Sequence, residues 1–350
     1  MGLASPRALH PMKILILKPS SLGDVVQALP VLRLIKRHLA GSEIYWWIDS
    51  RLAPLLEGDP DLAGVVLFER RRWAAPRHWG EIRHSVRWMR QQAFDWVIDL
   101  QCLMRSGIFA WLANGKLTVG LDEPREGARG FYDVIVRRPS ALTHAVDWYL
   151  GVLPPLGVPV NEDFQWLPER PGLAESVRRK WPVAEGRWII IQPGARWPTK
   201  RWPAESFAEL VRQLAAANRE IHFAILGSRD DSALGEIITR VDGQRCLDLT
   251  GRLSLPEMVE WIRLSALMVT NDTGPMHVAA ALGKPVVALL GPTEPLRTGP
   301  YRQPDHVLQL NLPCAPCFKS RCRHVNPFEC LRAISPATVF DAVQKRLGSL

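Results

Sequence analysis

Residues 13–35 read KILILKPSSLGDVVQALPVLRLI, and their pattern decides the fold class. Lys13-Ile-Leu-Ile-Leu-Lys18 is short and apolar, as a strand buried on both faces of a parallel sheet must be. Pro19-Ser20-Ser21-Leu22-Gly23 breaks it. From Asp24 onward the apolar residues Val25, Val26, Leu29, Leu32 and Ile35 recur at helical spacing. Further strands are expected at Ile44–Ile48, Val65–Phe68 and Trp96–Leu100, each followed by a helix or loop. The pattern weakens between Gly151 and Arg187, where prolines crowd, although Ala174–Lys180 suits a short helix. It resumes at Trp188–Gln192, followed by a helix over Ala204–Ala217, a strand over Ile221–Leu226 and helices near Asp231–Arg240 and Pro256–Leu264. Strands over Ala266–Thr270 and Val286–Leu290 close the series. Strand alternating with helix predicts an α/β chain whose parallel sheets are covered on both faces. Two such doubly wound domains facing each other offer a cleft at the carboxyl ends of their strands, where open α/β sheets bind ligands.

The expected organisation is a leader over 1–11, an N-terminal domain over 12–165, a linker over 166–186, a C-terminal domain over 187–335 and a last helix within 336–350. Of the 350 residues, 47% are hydrophobic and 23% charged, which excludes disordered and collagen-like chains. No run approaches the roughly 18–20 apolar residues that cross a bilayer. The opening MGLASPRALHP has no apolar stretch long enough for a secretory signal, so a cytoplasmic address is expected. A net charge of +9 points to an anionic partner: nucleic acid, a membrane surface or a phosphate-bearing ligand. Six cysteines argue against a disulfide scaffold in that compartment. Cys314, Cys317, Cys322 and Cys330 lie close in sequence, at a spacing compatible with a tetrahedral metal site or with free thiols.

Three loops at strand ends carry candidate chemistry. In Lys18-Pro-Ser-Ser-Leu-Gly-Asp24, Ser21 or Asp24 is suited to cap the following helix. Alternatively Asp24 projects into the cleft as a carboxylate base, kept ionised by the helix dipole. Gln192-Pro-Gly-Ala-Arg-Trp-Pro-Thr-Lys-Arg-Trp-Pro203 holds Gly194, which permits close backbone approach, and brings Lys200 and Arg201 to a strand end. It is either a solvated basic loop or a phosphate cradle, and it matches neither the Walker pattern nor the dinucleotide fingerprint. In Asn271-Asp-Thr-Gly-Pro-Met-His277, Gly274-Pro275 fits a helix start whose first amides suit a pyrophosphate. Asp272 would there accept hydrogen bonds from amides, sugar hydroxyls or Lys200, and His277, one turn in, would reach a phosphate or hydroxyl. Between Arg70 and Arg90, arginines 70, 71, 72, 77, 83, 87 and 90 interleave with Trp73, Trp79 and Trp88, opposed only by Glu81. Arg83, Arg87 and Arg90 share one helical face, either a solvated basic surface or a set of guanidinium forks for phosphate and carboxylate. Arg125 and Arg129 extend it.

In order and spacing, over nearly the whole chain, these segments resemble the ADP-heptose:lipopolysaccharide heptosyltransferases of glycosyltransferase family 9. The matching features are Lys18–Asp24, Asp99-Leu-Gln101 with Arg105-Ser106, Pro193-Gly194-Ala195 with Lys200-Arg201-Trp202-Pro203, Asn271–Leu282 and Gly291-Pro292-Thr293. The resemblance implies a GT-B fold, two Rossmann-like domains facing a central cleft, with the donor held mainly by the C-terminal one. It implies transfer of heptose from ADP-heptose to a hydroxyl of the lipopolysaccharide inner core, with inversion, without an obligatory metal and without a cofactor. On this resemblance Asp24 is the general base. Lys200, Asp272, Thr273, Gly274 and His277 match the family's donor-site positions, with Gly194 expected beside them; from the basic segment and the strand-end loops, Ser21, Gly23, Arg71, Arg72, Arg83, Arg87, Gln101 and Arg125 are expected to face the acceptor. An anionic, membrane-embedded acceptor implies peripheral contact with the cytoplasmic face of the inner membrane, where tryptophans suit the headgroup level. The helix around Pro336–Leu347 is expected to cross back onto the N-terminal domain. The chain departs from common members at Cys102, where glycine often follows Asp-x-Gln, and at Pro275. The competing readings are a GT-B transferase or 2-epimerase using another nucleotide sugar, and a nucleic-acid-binding protein, for which a stacking platform is missing.

Overall fold

The structure, a computed structural model, describes residues 11–161, 164–183 and 186–348; apart from Pro11, the expected leader lies outside them. Two compact units emerge. One holds the strand before residue 20 with 28–139 and 146–165, and the other holds Ser21–Gln27, Ser140–Ala145 and the chain from Trp166. Each contains one six-stranded sheet.

The first unit contains β1 (Lys13–Leu17), most of α1 (Leu22–His38), β2 (Glu43–Asp49), β3 (Gly64–Phe68), α2 (Trp79–Gln92), β4 (Trp96–Asp99), α3 (Met104–Ala113), β5 (Leu117–Leu121), β6 (Val134–Val136) and most of α4 (Ala145–Leu150). Its strands, all parallel, run in the order β3-β2-β1-β4-β5-β6, the arrangement of dinucleotide-binding sheets. Ile14–Leu17 of β1, central in that order, are fully buried. Trp47 fills the space beside β2, its ring centroid 4.4 Å from Phe68 and 4.8 Å from Phe109. Several tryptophans are thus core filling. At the carboxyl end of β4 the buried Asp99 accepts from the Tyr132 hydroxyl (2.8 Å) and the Gln101 and Cys102 amides, while burial pushes its carboxyl pKa up.

The second unit comprises α5 (Pro171–Lys180), β7 (Arg187–Gln192), α6 (Ala204–Ala217), β8 (Ile221–Ile225), α7 (Ser232–Thr239), β9 (Cys246–Asp248), α8 (Leu255–Leu264), β10 (Leu267–Asn271), α9 (Gly274–Ala281), β11 (Val286–Leu289), α10 (Pro295–Thr298), β12 (Val307–Leu308), α11 (Glu329–Arg332) and α12 (Pro336–Leu347). Its sheet order, β12-β11-β10-β7-β8-β9, repeats the first arrangement with β7 in the place of β1.

Two expectations are corrected. The stretch taken as a linker carries α5, which belongs to the second unit: Lys180 pairs with Glu257 of α8 at 2.9 Å, and Arg263 donates to the Leu167 and Pro168 carbonyls. The last helix, expected on the N-terminal domain, spends its apolar stripe in the second unit. Val339, Val343 and Leu347 share a core with Phe207, Leu210 and Leu331, and the Trp202 indole donates to the Ile334 carbonyl just before α12. No helix of the described residues is long and apolar enough to cross a membrane.

Candidate active site

A cavity of about 400 Å³ opens on the second unit where three loops meet. Ser21–Gln27 supplies the first wall, Arg196–Lys200 the second, and Asp272–His277 the third. Each loop follows a strand, so the α/β alternation delivers all three to strand carboxyl ends.

The first wall is the start of α1. Asp24 lies in its first turn, and Asp24 Oδ2 accepts from the Ser21 backbone N–H (2.9 Å) and hydroxyl (2.5 Å). The capping role open in the sequence is therefore occupied, on the same carboxylate that lines the cavity. Gly23 is required sterically: a Cβ there would sit 2.4 Å from Cδ2 of His277.

The second wall is fixed by Asn271, fully buried at the end of β10. Its amide donates to the Pro193 carbonyl (2.7 Å) and its carbonyl accepts from the Trp202 N–H (3.0 Å), so both ends of the 193–202 loop are tied to one side chain. Lys200 then meets Asp272 Oδ2 at 2.6 Å and lies over the Trp197 ring. Asp272 also accepts from the Thr293 hydroxyl at 2.5 Å, which gives Thr293 of the Gly291-Pro292-Thr293 segment its partner.

The third wall is the N-terminus of α9. Thr273 is its N-cap, but among the described residues its side chain makes no cap hydrogen bond, and Pro275 brings no N–H that needs a partner. His277 is partly buried, with Gln27 Nε2 3.2 Å from its Nδ1. Burial pulls its pKa down to about 4 against the opposing pull of Asp272 and Asp24, so the ring is neutral at neutral pH.

Of the sequence-derived set, the cavity unites Asp24, Ser21, Gly23, Lys200, Asp272, Thr273, Gly274 and His277. Gly194 does not line it. A Cβ at Gly194 would lie 2.5 Å from Asp231 Cγ, so that glycine answers to an internal acid rather than to a ligand. Arg201 does not line it either, because its Nε donates to the Ala195 carbonyl and braces the loop; Arg196 takes its place at the wall. Arg196, Gln27, Asn271 and Thr293 were missed as site residues. Asn271 was the most visible of them, as a polar residue directly at a strand end.

Gln101, Arg71, Arg72, Arg83, Arg87 and Arg125 belong to the first unit. Gln101 Oε1 is buried there without a hydrogen-bond partner among the described residues. Arg72 is paired with Glu81 (2.6 Å) and Arg125 with Glu123 (3.0 Å). Arg83, Arg87 and Arg90 line a groove of about 590 Å³ whose other walls include Ile82, Val86 and Leu112. The four clustered cysteines are free thiols, and among the described residues no group of three or more His, Cys, Asp or Glu could hold a metal ion.

The chain is 29% identical over 324 residues to lipopolysaccharide heptosyltransferase 1 of Pseudomonas aeruginosa, covering 89% of this chain and 88% of that one. It is similar to the solved glycosyl transferase family 9 protein of Veillonella parvula, with a TM-score of 0.84 at 23% identity, over 99% of this chain and 100% of that one. It is also similar to the Escherichia coli ADP-heptose lps heptosyltransferase II, with a TM-score of 0.78 at 24% identity, over 97% of this chain and 99% of that one. These likenesses identify the two Rossmann-like units as a GT-B fold. Residues 82–326, most of the chain, match glycosyltransferase family 9 (heptosyltransferase); the chain is a glycosyltransferase and belongs to that family.

Proposed function

We propose that this enzyme moves heptose from ADP-heptose to a hydroxyl of the lipopolysaccharide inner core, with inversion at the anomeric carbon and without a metal ion. The observation that carries the reading is the cavity itself, which unites a carboxylate, a lysine and an uncapped helix N-terminus within about 400 Å³. Asp24 takes the proton of the acceptor hydroxyl as its oxygen bonds to the anomeric carbon. The bond from that carbon to the diphosphate oxygen breaks on the opposite face, and the electron pair leaves with ADP. Lys200, Arg196 and the first amides of α9 stabilise the departing charge, the task a divalent cation performs elsewhere. The relatives named as lipopolysaccharide heptosyltransferases support the choice of sugar and acceptor.

For the acceptor side, the reading assigns Arg83 and Arg87 to phosphate and carboxylate groups of the glycolipid. The groove they line is partly apolar, and the exposed Trp79 and Trp111 on α2 and α3 suit the headgroup region of the inner membrane's cytoplasmic face. The test is a donor screen on a purified lipid acceptor in excess EDTA, wild type against Asp24→Asn. The expected result is turnover of ADP-heptose that survives the chelator, and a loss of about 2–4 decades in the variant. Near-normal turnover by Asp24→Asn removes Asp24 as base; turnover only with UDP-sugars overturns the donor.

A further inference from the structure

His277 is clamped on two sides. Gly23 lies against its Cδ2 edge so closely that any side chain there would collide with the ring. Gln27, one helical turn beyond Asp24 on α1 and only 4% exposed, brings its amide nitrogen to 3.2 Å from Nδ1. An amide nitrogen can only donate, so Nδ1 is the accepting nitrogen and carries no proton. In a neutral imidazole the proton then sits on Nε2. Among the described residues Nε2 has no hydrogen-bond partner, and His277 lines the cavity.

We infer that Gln27 is a positioning residue that holds His277 as the Nε2–H tautomer, so that His277 meets the bound nucleotide sugar as a neutral hydrogen-bond donor to a phosphate or hydroxyl oxygen. The inference rests on the proposed use of this cavity for a nucleotide sugar. It has a mechanistic consequence. The charged and titratable groups acting on His277 are Asp272 and Asp24, which favour its protonation, and His144 and Lys200, which oppose it together with burial. The ring stays neutral through the working pH range, and its one basic nitrogen is occupied by Gln27. His277 therefore does not compete for the acceptor proton. Asp272, the second carboxylate of the cavity, is paired with Lys200, which leaves Asp24 as the base that the proposed function requires.

The tautomer can be read in the full chain with 15N-labelled histidine, the His277 signals being those missing from His277→Asn. The expected wild-type spectrum has unprotonated Nδ1 and protonated Nε2 from pH 8 to about pH 5.5. Gln27→Glu offers Nδ1 an acceptor and should move the proton there, lowering kcat/KM for ADP-heptose about tenfold or more. Gln27→Met, close in volume, should cost about three- to tenfold with the thermal midpoint nearly unchanged. A wild-type His277 protonated on Nδ1 overturns the inference, as does a folded Gln27→Met or Gln27→Glu that keeps donor kcat/KM within twofold. Should Gln27→Glu fail to fold, the wild-type spectrum and Gln27→Met decide. The spectrum needs no substrate, so failure to turn over ADP-heptose would sink the proposed function without touching the tautomer.

Discussion

Lys200→Met keeps the length of the side chain and removes the charge that faces Asp272 at 2.6 Å. At an effective dielectric of about 20, unit charges at that separation attract by roughly 6 kcal/mol. Desolvation works against this, partially for Lys200, whose side chain is 19% exposed, and almost fully for Asp272, at 5%. The net cost of breaking such a pair is about 2–4 kcal/mol, most of it from the carboxylate left behind. Thr293 still donates to Asp272, which favours the lower end. The expected fall in Tm is roughly 5–10 °C for a domain of this size. If Lys200 also grips the diphosphate, calorimetric ADP affinity should fall about 10–100-fold, the worth of one charge-assisted hydrogen bond. Adding Asp272→Asn separates the two roles. It removes the stranded charge and should restore most of the lost stability while ADP binding stays weak. The reasoning is refuted if ADP binds Lys200→Met within twofold of wild type, or if the double variant regains stability and ADP affinity together, because Lys200 would then serve only to neutralise Asp272.

His277 is expected to shape the acid limb of stability. The unfolded chain takes up a proton near its ordinary value of 6.5 that the folded chain refuses until about pH 4. Its contribution is therefore intact above pH 6.5 and lost as pH falls from 6.5 to 4, by at most about 3 kcal/mol. His277→Gln should flatten that limb in thermal scans, and an unchanged slope would contradict it. Gly23→Ala places a methyl 2.4 Å from the His277 ring and should displace it, cutting transfer while costing about 1–3 kcal/mol of stability. Wild-type kinetics in that variant would contradict the clamp. Charge reversal of Arg83 and Arg87 should weaken use of the lipid acceptor and leave ADP-heptose affinity intact in a two-substrate assay; equal loss of both would remove these arginines from acceptor recognition.

The strands with unbroken apolar runs were legible in the sequence because burial on both faces demands that pattern. β5 was not, since Leu117-Thr-Val-Gly-Leu121 contains a glycine that reads as a breaker. Gly120 is there because the Tyr132 ring lies within 2.3 Å of where its Cβ would be, a contact with a partner twelve residues on that no local pattern reveals. Cys102 is a similar case. Its backbone is left-handed at φ 53, which accounts physically for a position where glycine is common in the family, and its buried thiol donates to the Asp99 carbonyl at 2.8 Å. Strand-end residues of the site were legible because the fold class sends every such loop to one end of its sheet. Which cation of Arg196, Lys200 and Arg201 would reach the cavity was not, because the choice depends on Arg201 finding the Ala195 carbonyl. The helix at 336–347 was legible as a helix, whereas its destination depended on which core had room for Val339 and Val343.

Glycines at strand ends invite a phosphate-loop reading, in which the missing side chain makes room for a ligand. Two in this cavity, Gly23 and Gly274, and a third outside it, Gly194 of the 193–202 loop, serve the protein instead. Gly23 makes room for His277, Gly194 for Asp231, and Gly274 for Leu22, whose side chain would lie 3.0 Å from an added Cβ. Gly23 and Gly274 act on the same pair of segments from opposite sides: the first turn of α9 rests on Leu22, and the ring one turn further along rests on Gly23. Gln27 closes this contact with a hydrogen bond, and Asn271 ties the 193–202 loop to the end of β10. The cavity walls are thus stitched by buried contacts that need no ligand to form. An enzyme that must stabilise a departing diphosphate gains from such an arrangement, because donors already held in place need no reorganisation as charge develops. It follows that enlarging any of these glycines should harm catalysis through the neighbour it displaces. Trimming that neighbour, for instance Leu22→Gly in a Gly274→Ala background, which removes the Leu22 Cβ lying 3.0 Å from the added methyl, should recover part of the loss, which a direct glycine–phosphate contact would not permit.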